Sequence, residues 1–363
     1  MFKEGKKMKN KKILILMILI LTASQIKAIT IGSDSFLDRF TAQQTLNNGD
    51  NIACFAALEG GFKLYNSGTT ATFGSTFGVS GAVDLNAGTL TLSKDLVFVD
   101  QTTVANLGNI NGNNHTLELC PSIKQLSTET SSKDFTFDNL TMILHSDIFI
   151  QNCKIKFSGN SSINGNGKTI TLLSTATIAI DSNTTLALQN VVIELTNEDH
   201  IKCTDNTSNL QLKNITWVQA NNYTLPTGTL DITENFEILG PDTTFSYQST
   251  TTSFIKENGK LILGNNVTFD YNPSISNNQL LNLTDNTSQI ILNGATLHGS
   301  YGLELTKGIL ELQRNATLSS DGTTENESII FGDGSDSSNN LTIKMRPGNR
   351  LNVTSGKVLN KNV

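Results

Sequence analysis

The chain has 363 residues, 37% of them apolar, 6% aromatic and 16% charged, with only 5 Pro. So low a charge fraction excludes a charged disordered polymer, while recurring Leu and β-branched residues suffice to fill a narrow core. The formal net charge is −6, and its four Arg (Arg39, Arg314, Arg346 and Arg350) cannot follow a phosphate backbone, which excludes nucleic acid as a partner.

Residues 1–28 read as a secretory signal peptide. "MFKEGKKMKNKK" is a basic leader, "ILILMILILTA" an apolar run of 11, and the segment closes on a small residue at Ala28. The run falls well short of the roughly 20 residues that a membrane-spanning helix needs. An exported chain follows as the expectation: extracellular, on the cell surface or periplasmic, with no transmembrane segment after cleavage. Without the leader's seven Lys and one Glu, the 26 basic and 32 acidic residues become 19 and 31, a net of −12.

Residues 29–80 are expected to form an N-terminal cap and leader. Within them "DSFLDRFTAQQTLN" (34–47) reads as a short amphipathic helix, with Asp34 or Ser35 as cap and Phe36, Leu37 and Phe40 on one face. Such a helix would cover the first edge of whatever follows; a loose leader is the alternative.

Repeats begin near residue 81. "INGNNHTLEL" (110–119) returns as "INGNGKTITL" (163–172) with six of ten positions identical. A second pattern links "FTFDNLTMIL" (135–144), "LALQNVVIEL" (186–195) and "LQLKNITWVQ" (210–219), and a third links "ILGPDTTFSY" (238–247) with "ILGNNVTFDY" (262–271). Apolar residues alternate with period two on both sides of a central Asn, which marks two short strands facing one core across a sharp bend. Asn tolerates the left-handed backbone of such a bend. Taking one bend per unit gives Asn86, Asn111, Asn139, Asn164, Asn190, Asn214, Pro241, Asn265, Asn293, Asn315 and Asn340, at intervals of 22 to 28 residues. Asn152 falls half a period away and is assigned to another corner of the coil.

A period in the twenties signals a solenoid. Period-two alternation with abundant Asn, Thr and Gly excludes helical repeats, and the leucine-rich spacing L-x-x-L-x-L-x-x-N is not reproduced. The expectation is an all-β chain: a parallel β-helix of about ten to eleven coils over residues 81–363, with Asn amides stacked along one corner. No second cap is visible after "LTIKMRPGNRLNVTSGKVLNKNV", so the last edge either meets a partner or belongs with coils encoded elsewhere. No β-barrel translocator follows, and the repeats of chlamydial polymorphic surface proteins are missing.

With the Asn bends after "LALQ", "LQLK" and "FTFD" and the head "INGNGKTITL", residues 80–345 resemble right-handed parallel β-helices of the pectin-lyase-like superfamily. They are also similar to Asn/Thr-rich β-solenoids of exported bacterial surface proteins. The resemblance implies a right-handed coil. It also raises a polysaccharide lyase or glycoside hydrolase as an alternative, since many members cleave acidic polysaccharides. The family's Asn-Thr-Asp, Asp-Asp, Gly-His-Gly and Arg-Ile-Lys motifs are nevertheless missing, and hydrolysis requires paired carboxylates.

The remaining chemistry-bearing residues are weighed singly. His115, His145, His200 and His298 lack metal-ligand spacing and are expected as solvent-exposed turn residues. Glu194, Glu198, Asp199 and His200 form the densest polar group, expected as a solvated loop. Asp333 and Asp336 in "FGDGSDSSNN" only faintly match a calcium loop. Cys153 sits where related stretches hold Val, Ile or Leu and so behaves as a buried apolar group; Cys54, Cys120 and Cys203 are far apart, which weakens a disulfide reading. Asn-x-Ser/Thr triplets such as that at Asn214 follow from bends preceding Thr-rich strands. No catalytic, cofactor-binding or metal-binding residue is therefore assigned, and no cofactor. The expected protein is a non-catalytic surface or envelope scaffold, adhesive through its Thr, Ser and Asn face toward glycans or envelope proteins, with end-to-end self-association through the uncapped last coil.

Overall fold

The structure is a computed structural model that describes residues 30–361 except 32–37, 41–42, 53–55, 59–60, 66–68, 74–78, 80, 87, 99–101, 128–132, 174, 199, 323, 325–326, 333 and 335–340. The signal peptide, Cys54, Asp199, Asp333, Asp336 and Asn340 lie outside the described residues. The chain is an all-β parallel solenoid of about 11 turns, and no helix occurs among the described residues.

Coils carry short strands on three walls, and most strands pair in parallel with the counterpart one coil along. The first wall is a nine-stranded sheet ending at Ile201–Cys203, resumed by a six-stranded sheet from Tyr223–Leu225 to Leu351–Ser355. The other two walls merge where Asn160–Leu173, Thr185–Leu195 and Asn209–Gln219 run through a corner as single long strands.

Alternation does the sorting. Along Thr185–Leu195 and Asn209–Gln219 inward side chains are buried on both sides of the bend, because Asn190 and Asn214 take φ of 49° and 55° respectively and reset the phase of the strand. Inward residues from Leu46 to Leu341 form one continuous apolar shaft. Its middle is aromatic: Trp217 packs edge-on against Tyr223, Phe236 and Phe245, and Phe245 stacks on Phe269 at 5.6 Å and 8°. The third sequence echo is thus a true lateral register, with Phe245 opposite Phe269 and Tyr247 opposite Tyr271.

Three expectations are corrected. Asp38–Phe40 and Gln44–Leu46 are strands, not parts of a capping helix, and pair in parallel with Ala56–Leu58 and Gly61–Leu64. A helix this short is marginal on its own, whereas a neighbouring coil offers a ready ladder of backbone partners. Second, the bend residues do not pile along one corner. Asn86, Pro241, Asn265, Asn293 and Asn315 turn from the third wall to the first, Asn111 and Asn139 from the first to the second, and Asn164, Asn190 and Asn214 from the second to the third. Coils vary in length, so a mean period drifts across corners. Side-chain amide-to-amide hydrogen bonds join Asn190, Asn214 and Asn235, at 3.3 and 3.1 Å. Third, the left-handed residue is often the neighbour of the one expected: Asn113 and Asn114 beyond Asn111, Asn166 beyond Asn164, Asp242, Asn266 and Gly294. Asn152 does occupy another corner, at φ 55°.

In place of one stack, corner amides hold coils together locally. The Asn113, Asn166 and Asn221 amides donate to the carbonyls of Leu92, Leu144 and Thr196 in the preceding coil, at 2.8, 3.0 and 2.8 Å. A second device is the tetrapeptide Asp-Asn-Thr-Ser, present at 205–208 and 285–288. In each, the buried Ser hydroxyl (Ser208 or Ser288) reaches two carbonyls of an earlier coil at 2.9–3.1 Å, and the Thr hydroxyl accepts the amide of Asn183 or Asn258.

Burial pushes the Cys153 and Cys203 thiols up to about 12, and Cys120, Cys153 and Cys203 are all free and buried. At the other end, Ile343, Met345 and Val353 continue the inward rows of Leu310, Leu312 and Leu318, yet are 37, 55 and 53% exposed.

Asn214→Ala should lower stability by about 1–3 kcal/mol, because it strains a left-handed residue and removes an amide that both donates and accepts. Asn214→Gly should lose less, a difference readable in urea midpoints. For Asp205, hydrogen bonds from the Thr207 and Ser182 hydroxyls and the Thr207 amide lower the carboxyl to about 2 from 3.8. A folded value below the unfolded one stabilises above about pH 4 and is lost as pH falls through about 2. The stability gap between wild type and Asp205→Asn should therefore be full at pH 5 and closed near pH 2 in acid-unfolding curves.

Candidate binding groove and polar face

Two outward rows run along the resumed first wall. Thr244, Thr268, Thr296 and Thr317 stand in lateral register, half-buried, one per coil. Two positions on lies a second row, Ser246, Asp270, His298 and Ser319. Here side chains engage one another. The Asp270 carboxylate accepts the Ser246 and Ser300 hydroxyls at 3.2 and 3.0 Å. His298 Nδ1 lies 2.8 Å from Ser319 Oγ, while Nε2 faces Asp321 at 3.4 Å and Asp270 at 4.0 Å. An imidazole between two carboxylates can relay a proton or anchor a polar ligand. Residues 21 to 30 apart in sequence meet only through coil register.

The expectation that all four His are exposed turn residues fails at two of them. His298 lies within the strand Thr296–Gly299 and is mostly covered. His200 is fully buried, with Nδ1 2.6 Å from the Ala176 carbonyl oxygen and Nε2 2.9 Å from the Thr196 hydroxyl. It ties one coil to the previous one, and so leaves the polar group it was counted with: Glu198 is exposed, and Glu194 accepts the Thr171 hydroxyl at 2.7 Å. His115 and His145 do lie nearer the surface, paired with Asp95 at 3.5 Å and Glu118 at 3.1 Å.

A groove of about 360 Å³ opens on the next wall, lined by Thr252, Asn277, Gln279, Asn282, Glu304 and Thr306 above Leu281, Leu283 and Leu305. Residues 272–280, which lead from the strand Thr268–Tyr271 to Leu281–Leu283, form its wall. This loop is held from below by two core tyrosines stacked at 5.7 Å and 6°. The Tyr271 hydroxyl donates to the Asn277 carbonyl at 2.6 Å and accepts the Leu280 amide at 2.8 Å. The Tyr247 hydroxyl donates to the Thr251 carbonyl and also meets Leu280 O at 3.3 Å. Burial raises the Tyr271 hydroxyl above its usual range, so it stays a donor at any physiological pH. Glu304 is the one ionisable group of the lining, and Asn278 Nδ2 donates to it at 3.3 Å.

Sequence reading missed this groove. Its signal was the 28-residue interval between Asn265 and Asn293 holding "NPSISNNQ", an expanded coil.

No family model matches the chain, and neither does a curated protein or a solved structure.

Tyr271→Phe removes a donor and an acceptor beneath the loop and strands the buried Leu280 amide. It should cost about 1–3 kcal/mol. Hydrogen exchange at residues 277–280 should quicken while exchange in the strand Lys260–Leu263 stays slow.

Proposed function

We propose that this chain is an exported, non-catalytic β-solenoid, a surface or envelope scaffold that holds glycans or envelope proteins along its polar face. The observation that carries the reading is a separation. The side chains able to move protons, Asp270, His298 and Asp321, stand on one wall, and a groove able to seat a ligand lies on the next, with Glu304 the one ionisable residue of its lining. Acid–base cleavage of a glycosidic bond needs two carboxyl groups flanking the same bound linkage. The Thr row and the amide-lined groove instead offer repeated donors and acceptors suited to holding a polymer. Export rests on residues 1–28, and placement among pectin-lyase-like solenoids rests on the coil pattern. End-to-end association through the exposed inward residues of Leu341–Met345 and Leu351–Ser355 belongs to the same proposal.

The second reading is a polysaccharide lyase or glycoside hydrolase, favoured by the convergence of Asp270, His298, Asp321 and Ser319. The two part in one assay. Incubating the purified chain with acidic and neutral polysaccharides, with and without calcium, should yield retention on immobilised glycan without reducing ends or unsaturated products. Turnover lost in His298→Ala would replace the scaffold reading with the enzymatic one.

A further inference from the structure

The groove coincides with a break in the solenoid wall. Leu281–Leu283 pairs with Ser253–Ile255, and Leu303–Leu305 pairs with Ile329–Phe331, but no ladder joins Leu281–Leu283 to Leu303–Leu305. The two strands face each other across adjacent coils, with Cα atoms within 8 Å. The expanded loop accounts for the break: Asn278 O takes the Glu304 amide at 2.8 Å in place of a partner from the facing strand. Other breaks are likewise bridged from inside the chain. Where the first wall stops at Ile201–Cys203, the Tyr223 hydroxyl donates to the Ile201 carbonyl at 2.9 Å, and beside Thr103–Asn106 the Leu107 amide donates to Ser127 O at 3.2 Å.

What fits this opening is constrained from three sides. An inserted peptide strand would need its neighbours roughly 9.6 Å apart, two spacings of about 4.8 Å, so the gap is too narrow for strand addition. A volume of about 360 Å³ holds about a dozen waters at ~30 Å³ each, too roomy for a lone ion. Hydrogen-bonding capacity is high and charge is low: the Gln279 and Asn282 amides and the Thr252 and Thr306 hydroxyls have no side-chain partner among the described residues, and Glu304 would repel a polyanion. Phe254 stands half-buried on the outward face opposite Asn282, with the Lys256 ammonium 4.2 Å from its ring centre, and adds an apolar margin.

We infer that this groove is a binding subsite for a neutral saccharide, whose ring hydroxyls both donate and accept and so can meet free amides, hydroxyls and open strand edges together. The inference rests on the glycan-holding reading above and gives it a place and a ligand class. Because Tyr247 and Tyr271 hold the loop before any ligand arrives, little ordering is left to occur on binding.

Titration of the purified chain with cellohexaose, laminarihexaose and mannohexaose, and with hexagalacturonate as the anionic counterpart, tests it. At least one neutral hexasaccharide should bind, and at least tenfold more tightly than hexagalacturonate. Gln279→Ala/Asn282→Ala, both at exposed positions, should weaken that binding tenfold or more with an unchanged melting temperature, and more than Thr268→Ala/Thr296→Ala on the first wall weakens it. Loss of binding in the Thr variant alone would overturn the subsite and leave the glycan-holding reading standing. Preference for hexagalacturonate would overturn the subsite as well. Failure of the wild-type chain to bind any of the four would overturn the subsite and remove glycans from the broader reading.

Discussion

A chain that turns three times per coil must change direction within two or three residues and still return its inward side chains to the same rows. That constraint governs everything else in this molecule. Left-handed backbone does it in the least space, but costs most residues roughly 1–2 kcal/mol. Asn lowers that cost with local side-chain hydrogen bonds, then spends its amide on the neighbouring coil, as Asn113 and Asn166 do with Leu92 O and Leu144 O. The composition follows. Asn is abundant because so many corners use it. All five Pro, at 121, 226, 241, 273 and 347, lie outside strands, since a residue without an amide proton would break a ladder.

The same constraint explains what could be read in advance. Period-two alternation reset by Asn specifies a bend between two core-facing strands wherever it occurs, so the architecture was legible residue by residue. Which corner a bend occupies was not. "INGNNHTLEL" and "INGNGKTITL" are one device built at two different corners, the first beyond Asn109–Asn111 and the second within Asn160–Leu173. Local physics at the two is identical, and only the length of the intervening chain separates them. The helix expected over 34–47 gives way to strands at Asp38–Phe40 and Gln44–Leu46 for the complementary reason: its apolar spacing suits a helix in isolation, but the parallel edge of the next coil is not visible in a local window.

Side chains that meet across coils were the least legible. His298, Asp270 and Ser319 stand in register although they are 28 and 21 residues apart in sequence, because the inward rows fix the ladder and the loops absorb the difference. His200 shows the converse, a polar residue beside acidic neighbours that faces inward because the turn after Thr196 places it there.

Inward rows and corners set stability in a solenoid, and each coil draws its support from the coils on either side. Outward rows are consequently free to vary, but an intact ladder presents only a shallow ribbed surface. An interrupted ladder adds depth, but it exposes strand edges and invites unwanted pairing. The expanded coil at 272–280 meets both demands. It opens the wall between Leu281–Leu283 and Leu303–Leu305, while the stacked Tyr247 and Tyr271 below fasten the loop and the other two walls continue unbroken through Lys260–Leu263, Gln289–Leu292 and Gly308–Leu312 on one side and Thr268–Tyr271, Thr296–Gly299 and Ala316–Ser320 on the other. Two intact ladders confine the weakness to one wall. A recess can be set into such a stack without loosening the coils around it, provided the core beneath supplies the hydrogen bonds that the missing ladder would have made.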